Sequence, residues 1–105
     1  MTWREFPRRR DGLRYALEGG LWLHRFSFDG TPMAHVVSGD RGVLLAWGRA
    51  VGLDPRWLQF KPLRNPHTGE HVPAWHWDLW GDRLPQPTPD ADVARTGTAP
   101  QIGGV

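Results

Sequence analysis

The sequence predicts a small α+β domain, and three observations carry that expectation. Two runs of strand-forming residues, Leu21-Trp-Leu-His-Arg-Phe-Ser-Phe28 and Ala74-Trp75-His76-Trp77-Asp78-Leu79, bracket one segment with helical spacing. That segment repeats Val43, Leu44, Trp47 and Val51 on a single face. The third observation is size: 105 residues allow one modest core, and seven Trp can anchor it. The expected architecture is three to four short strands with one central helix over residues 21–84. An irregular basic arm over 1–20 precedes it, and a Pro-rich tail over 85–105 follows.

Each element has a local reason. Residues 1–20 mix Arg with Trp3, Phe6 and Tyr15 and end at Gly19-Gly20, so they read as an arm with a helical turn around Asp11 to Leu17. Leu21–Phe28 is the first strand, turned by Asp29-Gly30-Thr-Pro into a short second strand, Met33–Ser38. Ser38 or Asp40 can cap the helix, because a side-chain oxygen there accepts a free amide of the first turn. Gly52 in the C-cap position and Pro55 beyond it stop the helix. Trp57-Leu-Gln-Phe60 resumes an extended path. Pro62, Pro66, Gly69 and Pro73 then mark a loop or long hairpin turn. Residues 74–80 form the last strand. After Leu84 the chain has no apolar period, which predicts a segment that is disordered or orders on a protein partner.

Composition closes several routes. With no Cys there is no disulfide, thiolate nucleophile or Cys zinc site. No apolar run of about eighteen residues exists, so no membrane span is expected. The N-terminal Arg cluster has no signal-type apolar stretch behind it, and a cytoplasmic protein is the default expectation. Net charge is +2, and its slight basic excess centres on Arg4, Arg8, Arg9, Arg10 and Arg14. That patch fits phosphate contact but is less lopsided than in a globally basic nucleic-acid binder. A dinucleotide fingerprint, a P-loop and a serine elbow are all lacking.

The chemistry-bearing residues fall into three groups. In the last strand, alternation sends Trp75, Trp77 and Leu79 one way and His76 and Asp78 the other. His35 and Asp40 form a second polar pair. Two imidazoles and two carboxylates are a ligand set for zinc, manganese or iron, and His with Asp is an acid/base pair. His35, Asp40, His76 and Asp78 are therefore the candidate catalytic and metal-ligating residues, with Mn, Zn or Mg as the expected ion. Each also has a structural reading: a core histidine, a helix cap, a surface pair. The second group is Arg56, Trp57 and Gln59, where Arg supplies a donor fork for phosphate and Trp a stacking face. Trp57 after Pro55 can equally be a core anchor. The third is Arg8-Arg9-Arg10 near Trp3 and Phe6, which combines charge and stacking as single-strand binders do, or forms a solvated arm. His67 and His71 sit four apart, but Gly69 and the prolines remove the helical meaning of that spacing. A loop closing over His76 could still supply His71.

Met33-Ala-His35, Ser38-Gly-Asp40, the Leu/Trp/Ala helix, Gly52-Leu53, Arg56-Trp57-Leu-Gln59 and His76-Trp77-Asp78-Leu79 occur in that order. This stretch, about residues 31–80, resembles the short bacterial and phage family catalogued as domain of unknown function 4031. Trp77 stands where that family usually has Tyr, only Asp29 lies near its opening acidic pair, and the Pro-rich tail replaces its later helix and strand. The resemblance implies a divergent or truncated member that keeps its polar residues in order. It implies no named activity. The leading expectation is a small polar-site domain, a metal-assisted or vestigial enzyme acting on a phosphorylated or nucleic-acid substrate. The alternatives are a nucleic-acid-binding module and a phage-type structural or interaction accessory protein.

Overall fold

The computed structural model describes residues 2–85. Within them the chain runs β1 (Trp3–Arg4), α1 (Arg9–Leu17), β2 (Leu21–Phe28), β3 (Thr31–Ser38), α2 (Arg41–Ala50), β4 (Gln59–Phe60), β5 (Leu63–Arg64), β6 (His71–Val72) and β7 (Trp75–Trp80). Short 3₁₀ turns lie at Pro55–Trp57 and Gly81–Arg83. The main sheet has the order β1-β2-β3-β7-β4, and β5 pairs with β6 as a separate ribbon. Among the described residues the fold is α+β, with more pieces than the sequence suggested: two helices, and seven strands of which four have only two residues.

β2 and β3 form a tight hairpin. Asp29 and Gly30 both have positive φ, 54° and 82°, the combination that matches the twist of two antiparallel strands. Pro32, which lacks an amide donor, pairs only with Ser27, because β7 joins β3 from Met33 onward. β3 therefore reaches back two residues further than its apolar pattern indicated. The stretch from Lys61 to Pro73 holds the β5–β6 ribbon, so its long-hairpin reading describes it well.

The cross-strand register divides the sheet into two faces. Leu23, Val36 and Trp77 align on one face; Trp22, Val37, His76 and Gln59 align on the other. Helix α2 covers the first. Asp40 caps it by accepting a hydrogen bond from the Val43 amide at 3.1 Å. At its end Gly52, at φ 86°, lets Leu53 N–H bond Gly48 O and Gly52 N–H bond Arg49 O. Leu44 and Gly48 are its buried residues, with Val43, Leu45 and Trp47 packed around the core. Val51 is 53% exposed, because the helix ends at Ala50 and the chain turns away. The indole of Trp77, 1% exposed, donates to Leu44 O at 3.0 Å and lies against Gly48.

The N-terminal segment is the main correction. Residues 1–20 are not an irregular arm: β1 pairs in parallel with β2, and α1 crosses between them. Helix α1 covers one end of the second sheet face, where Ala16 meets Trp22 and Val37. Gly12 makes that contact close enough that a Cβ would fall 2.1 Å from the Trp22 indole. Glu5 is buried and meets Arg25 Nε at 3.1 Å, which fixes the β1 end to β2. Apart from Pro85, whose carbonyl accepts from Arg25, the expected tail lies outside the described residues, as does any partner contact it makes. Among the described residues no helix is long and apolar enough to cross a membrane.

Gly48 supplies a test. Replacing a mid-helix Gly with Ala ordinarily stabilises by about 1 kcal/mol. Here a Cβ would sit 2.4 Å from the Trp77 ring, which cannot withdraw from a closed core. Gly48→Ala is expected to destabilise the domain by about 1–3 kcal/mol in urea unfolding. An unchanged or raised midpoint would show that α2 does not pack this closely.

Candidate functional site

The part of the second sheet face that α1 leaves uncovered is polar and aromatic. Its central row comes from register: His24 on β2 lies opposite His35 on β3, and His35 opposite Asp78 on β7. His76, two residues from Asp78 on the same strand, brings a third imidazole beside that row, its ring 4.4 Å from that of His35. His35 Nε2 approaches Asp78 Oδ1 at 2.7 Å, and His76 Nε2 approaches the same oxygen at 3.2 Å. From β4, the Gln59 amide donates to the other oxygen, Oδ2. Asp78 Oδ1 is buried, and both imidazole nitrogens crowd it off the line of a straight hydrogen bond.

The sequence-selected residues separate accordingly. His35, His76 and Asp78 meet, with one candidate ligand atom from each within 4.8 Å of the others. Asp40 does not join them. Its carboxylate is occupied as the cap of α2 and its amide bonds Ser38 Oγ at 3.0 Å. The predicted set of four is thus a set of three. Gln59 reaches the cluster directly. Arg56 and Trp57 lie with Gln59 and Asp78 along a neighbouring cleft of about 500 Å3, together with Trp80 and Arg83. Arg56 is engaged with Asp54, at 2.7 Å between Nη2 and Oδ2. Of the Arg8-Arg9-Arg10 run, Arg9 lies over the Trp22 ring at 5.6 Å and lines a small recess with His24, His35, His76 and Lys61. Arg8 and Arg10 are exposed, Arg8 at the start of α1. His67 and His71 are exposed on the β5–β6 ribbon and stand outside the cluster.

Three functional candidates carried weaker signals. Trp80 continues the His76–Asp78 alternation by one more step and faces the same way. His24 has the parity of Trp22, but only the register shows that it stands beside His35. Arg83 lies in a 3₁₀ turn, beyond the reach of any periodic pattern.

Burial sets the protonation of the row. All three imidazoles hold their protons less readily than an ordinary histidine, whose pKa is near 6.5. Removal from water is the largest cause in each case. Arg9 and then His35 add to it at His24; His76 and Lys61 add to it at His35, and Lys61 at His76. The Asp78 carboxylate opposes the shift at His35 and His76 without overcoming it. Neutral imidazoles beside one carboxylate are the form in which these groups ligate a cation. Searches against family models, curated proteins and solved structures each find no match, so the site is read from its geometry.

The lowered imidazole pKa values fix a sign. Below about 6.5 the unfolded chain binds more protons than the folded one, so stability rises with pH there. It is fully present above the unfolded value and is lost as pH falls toward the depressed folded values. In EDTA, the urea midpoint is expected to be lower at about pH 5.5 than at about pH 7.5, and His24→Gln should narrow that gap. Equal midpoints would mean that the three rings are not withdrawn from water as described.

Proposed function

We propose that the protein is a divalent-metal-binding domain in which His35, His76 and Asp78 hold the ion for chemistry on a phosphorylated ligand. The observation that supports it most is the convergence of two imidazole nitrogens, at 2.7 and 3.2 Å, on one buried carboxylate oxygen, Asp78 Oδ1. A buried carboxylate oxygen is costly unless something cationic or a donor satisfies it. A cation shared with His35 and His76 would do so. Protein ligands stand about 2.0–2.2 Å from zinc, and small side-chain rotations bring donors that lie within 4.8 Å to that reach.

The remaining residues have supporting roles. Gln59 donates to Oδ2 and so holds the carboxylate with Oδ1 turned between the two rings. His35 and His76, neutral for the reasons given, present lone pairs. Two histidines and one carboxylate leave coordination positions open, the pattern of sites that act on a ligand. A bound ion there supplies Lewis-acid polarisation of a phosphoryl oxygen and acidifies bound water. Arg83 beside the cluster would attract the anionic ligand. Kinship with the family that residues 31–80 resemble is part of the proposal and rests on the order of His35, Asp40, His76 and Asp78 alone.

Thermal unfolding with and without Mn²⁺, Zn²⁺ and Mg²⁺ tests the reading. An ion at a hundred times its Kd adds about 2.7 kcal/mol. In a domain this small that corresponds to a rise in Tm of roughly 10 °C or more. The rise should vanish in Asp78→Asn and persist in Asp40→Asn, whose amide still caps α2. Failure of every ion to raise Tm in the unmodified protein would overturn the proposal.

A further inference from the structure

The cleft next to the cluster has a composition that a metal site alone does not explain. Trp57 and Trp80 line it while remaining 48% and 53% exposed, a large aromatic surface left in water. The opening has a structural origin. β4 pairs with only Trp75 and His76, and the preceding residues leave the sheet through the 3₁₀ turn at Pro55–Trp57. Among the described residues the outer side of β7 from Trp77 to Trp80 therefore lacks a strand neighbour, and the cleft of about 500 Å3 forms beside it. That volume is in the range of small-molecule sites, roughly 300–1,000 Å3.

The cleft carries two arginines in different states. Arg56 is clamped by Asp54 through both Nε and Nη2, and its charge is balanced locally. Arg83 has no carboxylate partner among the described residues. Its guanidinium lies over the Trp57 ring, 4.8 Å from the centroid. A guanidinium stacked by its face keeps its N–H donors at its edge, where they suit a phosphate. Trp80 offers an aromatic face without such a cover among the described residues. It projects from the same side of β7 as Asp78, two residues away and about 7 Å along the strand.

We infer that this cleft is a nucleotide subsite: a nucleobase stacks on Trp80, and its phosphate is held by Arg83 beside Asp78. Inorganic phosphate would leave the open face of Trp80 unused, and a purely apolar ligand would strand Arg83. A nucleobase attached to a phosphate uses the aromatic faces and Arg83, and would use Asp78 once an ion lies between the two anions; base–aromatic stacking tolerates any base. The inference names the ligand of the proposed function and depends on it only for the events at the phosphate. Binding itself needs no metal.

The test is run in EDTA, on the full chain and on Asp78→Asn. AMP is titrated by calorimetry, and labelled oligo-dT of about ten nucleotides by fluorescence anisotropy. Binding with Kd below about 1 mM is expected for at least one probe; preference for AMP assigns a free nucleotide and preference for oligo-dT a single strand. Trp80→Ala and Arg83→Gln should each weaken it by about tenfold, Trp80→Phe should largely restore it, and Arg10→Gln on α1 should leave it unchanged. Both cleft side chains are exposed, so folding is expected to survive and is checked by Tm. Absence of binding to either probe, or insensitivity to Trp80→Ala and Arg83→Gln, overturns the inference. So does an Arg10→Gln loss equal to that of Arg83→Gln, which would reveal unspecific attraction to a basic surface. Because Asp78→Asn removes the metal ligand but not the cleft, nucleotide binding without a metal shift, or the reverse, tells the two readings apart.

Discussion

The contact between Trp77 and helix α2 governs the rest of the molecule. The indole is buried in the core and tied by its N–H to the Leu44 carbonyl, over a glycine that permits the approach. An indole N–H in a core must find an acceptor, and a helix carbonyl can provide one only at a fixed position. Helix, strand and strand register are thereby set together. A slip of one residue would turn Trp77 outward and bring His76 and Asp78 into the apolar core, where neither could be satisfied.

The polar cluster is the other side of that arrangement. Every residue that fixes β7 in the core has a neighbour in sequence that must point to the opposite face, and there β2, β3 and β4 bring their own outward residues alongside. Helix α1 is short enough to cover Trp22 and Val37 while leaving His35, Asp78 and Trp80 accessible. The partial cover explains the chemistry of the row. It withdraws the imidazoles from water enough to keep them neutral, yet leaves a route from solvent.

What the sequence disclosed follows the range of the forces involved. The alternation of Ala74 to Leu79 revealed which side of β7 is polar, since parity is local. The capping position of Asp40 was also local, and there the simple reading prevailed over the catalytic one. His35 stands opposite Asp78 through a pairing between residues 43 positions apart, which a hairpin and a helix have to close first. Helix α1 showed only as a helical turn around Asp11 to Leu17, because Arg8 gives no side-chain cap and Gly12 interrupts the segment; the Trp22 contact stabilises what propensity alone does not. The two-residue strands β1 and β4 are too short for any period to show.

The alternation along β7 also divides what change can reach. Trp75, Trp77 and Leu79 belong to the packed core, whereas His76, Asp78 and Trp80 lie on the opposite face of the sheet, with the polar cluster and its cleft. Stability and chemistry are thus written on alternate letters of one six-residue strand. Variation at even-numbered positions can change the polar face while the odd-numbered ones keep the fold, so this face can diversify as a lineage or be redesigned without renegotiating the core.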